Sequence, residues 1–116
     1  MTENHAQAEK AAITSRPAST RCCHRKETPR SEELQADLHR RLNRVIGQLG
    51  GVKTMIDDNR YCADVLTQLA AAESAVHSIS AVVLRNHLET CVVEQIERGN
   101  VEIIDEVMNL LKKFSR

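Results

Sequence analysis

Tryptophan is missing from this chain, and tyrosine and phenylalanine occur once each, as Tyr61 and Phe114. Aromatic rings therefore supply neither the core nor a stacking platform for unpaired bases. The apolar content comes instead from Leu, Ile, Val and Ala, the usual filling between packed helices. Net charge is lacking too. Sixteen Lys and Arg balance sixteen Asp and Glu, so a nucleic-acid partner has to be met by a local basic surface. No apolar run approaches the ~20 residues that a bilayer span needs, and the polar N-terminus has no h-region of a secretory signal. The expectation is a cytoplasmic protein with no membrane partner. In that reducing compartment four cysteines suggest metal binding or redox sensing before structural disulfides.

Proline is confined to Pro17 and Pro29, in a stretch rich in Ser, Thr and Ala with no apolar periodicity. Residues 1–30 are therefore expected to form a disordered N-terminal arm, and residues 31–116 the helical domain. Ser31 is a good N-cap, with Glu32 and Glu33 behind it in the first turn. Leu34, Leu38, Leu42, Val45, Leu49, Val52 and Ile56 follow in steps of three or four, a helical stripe with a heptad repeat from Leu38 onward. Gly47, Gly50 and Gly51 each cost ~1 kcal/mol against Ala inside a helix. The stripe runs through them, so they are read as points of close helix approach, with a break near Gly50 as the alternative.

Asp57, Asp58 and Asn59 form a turn. Cys62, Val65, Leu69, Ala72, Val76, Ile79, Val83 and His87 make a second stripe, which reaches about Arg98 before Gly99 stops it. Asn100 is placed to cap a short third helix whose apolar face is Ile103, Ile104, Val107, Leu110, Leu111 and Phe114. The fold class is all-α: a three-helix chain with two long helices and a short C-terminal one. Helix two, from about 62 to 98, spans roughly 55 Å at ~1.5 Å per residue. A globule of ~85 residues has a radius of gyration near ~12 Å. Such a helix overhangs its own monomer and needs a partner. The simplest symmetric solution is an antiparallel homodimer.

His87 and Cys91 are four residues apart, on one helix face, a spacing that lets both grip one ion. Taken alone, such a pair is more often incidental than a site. Cys62 continues the same stripe but precedes His87 by 25 positions, about 37 Å along a helix. It cannot join them within one chain. In an antiparallel pair whose axis crosses near Ala75 and Val76, Cys62 of one chain meets His87 and Cys91 of the other. The small residues of Ala70, Ala71, Ala72, Ser74 and Ala75 allow the close approach this requires. Two thiolates and one imidazole make a soft three-ligand site that suits Cu(I), whereas closed structural zinc normally takes four ligands. Without that registry, Cys62 reads as a small hydrophobe and His87 as a hydrogen-bonded core residue.

The runs Arg41–Val52, Arg60–Gln68 and Asn86–Cys91 closely resemble the copper-sensitive operon repressor (CsoR/RcnR) family, over about residues 34–115. The resemblance implies antiparallel dimers assembling into a dimer-of-dimers tetramer that binds operator DNA when metal-free and releases it on binding Cu(I). It implies metal ligands at Cys62, His87 and Cys91, supporting roles beside the metal for Tyr61 and Glu106, and a DNA role for Arg41. Ser78 stands where some members carry a basic residue. It further implies that nickel and cobalt sensors carry His where Cys91 stands, that formaldehyde-responsive members lack the second cysteine, and that persulfide-responsive members lose the histidine. Copper is the best fit. A thiol-reactive or other-metal (Ni, Zn) sensor on the same scaffold is the alternative.

Arg40, Arg41 and Arg44 cluster on one side of helix one, with Lys53 further along. They read either as a solvated face or, repeated by symmetry, as a phosphate-binding strip for double-stranded operator DNA. Cys22, Cys23 and His24, among Arg21, Arg25 and Lys26, read either as incidental tail residues or as an extra metal or DNA contact. No catalytic carboxylate partner is evident, so no enzyme activity is expected.

Overall fold

The structure, a computed structural model, describes residues 25–114, and those residues contain helices and no strand. Helix α1 spans Glu32–Asp57 and α2 spans Cys62–His87. Without a break, α2 passes through a π-helical turn, Leu88–Val92, into a last α-helical turn, α3, Val93–Glu97. Helix α4, Ile103–Phe114, closes the chain. This is the expected all-α chain of two long helices and a short third. Cys22, Cys23 and His24, with the rest of residues 1–24, lie outside the described residues.

The helix ends are fixed by local chemistry. Ser31 Oγ accepts the Leu34 N–H at 3.1 Å, satisfying one of the orphan donors of the first turn. The turn after α1 has Asn59 at φ 55°; its N–H reaches Ile56 O at 3.1 Å and the Arg60 N–H reaches Met55 O at 2.9 Å. The end of α3 repeats this with Gly99 at φ 85°, bonded to Ile96 O at 2.9 Å, and Asn100 bonded to Gln95 O at 2.9 Å. Both are Schellman stops, one built on Asn and one on Gly. Asn100 does not act as the expected cap: its side-chain amide donates back to Gln95 Oε1 at 2.8 Å, and α4 starts only at Ile103.

Helices α1 and α2 form an antiparallel hairpin. Leu38, Val45 and Val52, spaced by seven, are buried from α1; Ala72 and Ile79, also spaced by seven, are buried from α2. The other half of each stripe is not covered. Leu42, Leu49 and Ile56 are 43%, 43% and 59% exposed, and Leu69 and Val76 on α2 are exposed too. One heptad position thus closes the hairpin while the other faces outward. Cys62 lies on that outward row, seven residues before Leu69 and fourteen before Val76.

Helix α1 is continuous through Gly50, so the alternative of a break is dropped. The reading of the glycines as close-approach points is not met within the chain. A Cβ built at Gly47, Gly50 or Gly51 meets nothing within 4 Å. No helix among the described residues is long and apolar enough to cross a membrane.

Candidate metal centre

His87 ends α2 and Cys91 sits inside the π-helical turn that follows. Such turns widen a helix by one residue and recur at functional sites. Here the Thr90 hydroxyl donates to Asn86 O at 2.8 Å, competing for a carbonyl of the preceding turn. His87 is mostly covered, and its Nε2 is buried with no hydrogen-bond partner. Glu106 Oε1, from α4, lies 3.9 Å from that nitrogen. The separation is too long for a hydrogen bond, so Glu106 is a charged neighbour that leaves Nε2 unsatisfied. A buried orphan of this kind costs ~1–3 kcal/mol.

Cys62 and Tyr61 stand at the opposite end of α2, both exposed. Tyr61 is the N-cap residue but makes no side-chain capping bond. Among the described residues no three His, Cys, Asp or Glu side chains gather where they could hold a metal. His87, Cys91 and Glu106 line one cleft without converging on a single point, and Tyr61 and Cys62 lie about 37 Å away along the helix. The donor set (two thiols and an imidazole) fits a soft ion, and the orphaned His87 nitrogen beside a carboxylate matches the way metal-bound histidines are oriented.

Sequence reasoning assigned no role to Lys26. Its ammonium donates to Thr90 Oγ1 at 2.7 Å and to Cys91 Sγ at 3.3 Å. The neighbouring strap residues hold on as well: the Thr28 hydroxyl donates to the Glu94 carboxylate, and Glu27 is paired with Arg98. The hydrogen bond from Arg98 holds the Glu27 carboxyl below the ordinary range, and the same bond raises Arg98. Residues 25–30 are thus non-helical yet packed along the turn that carries Cys91. Two adjoining clefts of about 350 and 260 Å³ open here, and Lys26, Arg30, His87 and Cys91 line both.

The basic residues singled out for DNA remain on the surface of α1. Arg40 and Arg41 both pair with Asp37, at 3.0 and 2.9 Å, while Arg44 and Lys53 are exposed. Exposed pairs of this kind are weak and can yield to a phosphate.

The sequence pattern of a metal-sensitive transcriptional repressor matches residues 34–113, more than half of the chain. The chain belongs to that family. Among its relatives, the copper-sensing transcriptional repressor CsoR of Bacillus subtilis is 31% identical over 94 residues, covering 80% of this chain and 93% of the relative. The crystal structure of the copper-sensing repressor CsoR with Cu(I) from Geobacillus thermodenitrificans superposes with a TM-score of 0.73 at 35% identity, over 81% of this chain and 99% of that one. The nickel-responsive transcriptional regulator InrS superposes with a TM-score of 0.60 at 32% identity, over 80% and 99%. The repressor fold thus accompanies more than one metal response, and the donors have to decide between them.

Proposed function

We propose that this repressor is Cu(I)-responsive: metal-free it binds operator DNA, and on taking Cu(I) at sites shared between subunits it lets the DNA go. The observation that carries this reading is the separation of the donors. Cys62 lies on the outward row at one end of α2, and His87 and Cys91 lie at the other end. An antiparallel partner seated on Leu69 and Val76 brings its own Cys62 to His87 and Cys91, giving two sites per homodimer, and two dimers make the proposed homotetramer. Thiolate sulfur favours Cu(I). With Nε2 of His87 facing Glu106, Nδ1 is the nitrogen left for the ion, and Glu106 would orient the ring as carboxylates do for metal-bound histidines. Tyr61 stands beside Cys62 and would enter the same site with it.

The copper-sensing relatives and the Cu(I)-bound structural neighbour support copper. Arg40, Arg41, Arg44 and Lys53 would meet the phosphates of duplex DNA. Such a protein works in the cytoplasm, and as a binding switch, not an enzyme. Linkage requires that whatever factor Cu(I) takes from DNA affinity, DNA takes from Cu(I) affinity. Cys62→Ala should lose tight Cu(I) binding and stay on its operator in a gel shift with copper added. A mutant still released by copper would refute the assignment. The nickel-responsive neighbour keeps Ni(II) as the second reading; the same titration with Ni(II) in place of Cu(I) separates the two.

A further inference from the structure

Among the described residues Lys26 is the one cation in contact with a proposed donor sulfur, and the copper reading makes no use of it. Its position is not that of a free side chain. The ammonium is shared between Thr90 Oγ1 and Cys91 Sγ, and the next two strap residues are tied to Glu94 and Arg98. Cys91, Glu94 and Arg98 recur at steps of three and four, with Thr90 next to Cys91, so the strap packs against that side of the chain from the π-helical turn to the end of α3. Lys26 is also half-buried, which limits screening of its charge by salt.

Charge then decides what the ammonium does. Two thiolates, a neutral imidazole and a monovalent ion sum to −1, whereas the same donors around a divalent ion sum to zero. An ammonium 3.3 Å from one of the sulfurs attracts the first complex and is nearly indifferent to the second. Other charges face the clefts: Glu106 beside His87, Glu94 on α3, Glu27, Arg25 and Arg30 on the strap. They set a background of their own, Arg25 and Arg30 favouring the monovalent complex and the carboxylates disfavouring it. Lys26 still distinguishes the two by one full unit of charge, with the same sign whatever that background is.

We infer that Lys26 is a specificity-determining residue of this site: held on Cys91 Sγ by the docked strap, its ammonium favours a monovalent thiophilic ion over divalent ions in the same donors. The inference rests on the Cys62, His87 and Cys91 reading above. Its test is a set of dissociation constants for Cu(I), Ni(II) and Zn(II), from chelator competition on the full chain at one pH and ionic strength, with circular dichroism to confirm folding. In Lys26→Met the preference for Cu(I) over the divalent ions should fall about 10–100-fold, the usual range for a residue supporting a metal ligand. Lys26→Arg should keep most of the preference, and Lys26→Glu should lower it further than Met does. Glu27→Gln leaves the ammonium but loosens the strap, and should shift the ratio the same way by less. An equal loss for all three metals, as a purely structural contact would give, overturns the inference, and so does no change. Failure of the underlying reading shows separately, as Cu(I) affinity in Cys62→Ala equal to that of the parent protein.

Discussion

Glu106 stands 3.9 Å from His87 Nε2, and a shift of under an ångström would turn that approach into a hydrogen bond. If it orients the ring in the metal-bound form, Glu106→Gln should weaken Cu(I) about 10–100-fold while leaving the number of sites unchanged, as read by chelator competition. An unchanged affinity would reduce Glu106 to a bystander. At this scale the sequence was informative where the signal is local. The proposed donors His87 and Cys91 are marked by their spacing of four, and Cys62 by its place on the same stripe. Lys26 could not be found that way. It is 65 positions from Cys91 in sequence, and its contact arises only because the strap folds back along a helix that begins 36 residues later. Arg40 and Arg41 were legible as a basic cluster, but not their shared pairing with Asp37, which engages both guanidinium groups.

Among the elements, the stripes of three and four placed α1 and the continuous run from α2 to the end of α3 to within a residue or two, because apolar periodicity is what buries a helix face. The stop signals were legible for the same kind of reason. Gly99 at φ 85° and Asn59 at φ 55° occupy a left-handed conformation that costs ~1–2 kcal/mol for most residues. Gly99→Ala should therefore destabilise the chain by about 1 kcal/mol in a denaturant melt while keeping metal stoichiometry, since nothing else crowds that position. The π-helical turn was not legible. One residue of extra girth leaves the apolar pattern almost unchanged, and Thr90 bonding to Asn86 O is a choice the side chain makes only once the helix exists. The expected cap at Asn100 failed for a similar reason: its side chain is engaged by Gln95 on the finished turn of α3, and α4 starts only at Ile103.

For the molecule as a whole, the division of each stripe matters most. Leu38, Val45, Val52, Ala72 and Ile79 close the hairpin, while Leu42, Leu49, Ile56, Leu69 and Val76 are left facing out. Among the described residues no side chain is both large and fully buried, so the hairpin by itself has a thin core. The outward row on α2 also carries Cys62, so in the proposed dimer stability and sensing would be tied: the surface that is covered would be the surface that delivers the sulfur. Val76→Asp, at the proposed symmetry axis, would bury two like charges against each other. It should shift the protein toward monomer in analytical ultracentrifugation and remove both tight Cu(I) binding and operator binding. A Val76→Asp oligomer with intact sites would place the interface elsewhere.

Ligand sharing between chains can be measured by complementation. Cys62→Ala and Cys91→Ala proteins, each prepared alone, should lack the tight Cu(I) site. Co-expressed, they form a mixed dimer in which one chain keeps His87 and Cys91 and the other keeps Cys62. The account predicts the return of one tight site for every mixed dimer, half the parent stoichiometry. If mixing restores nothing, or if either variant binds Cu(I) tightly on its own, the three donors do not come from two antiparallel chains.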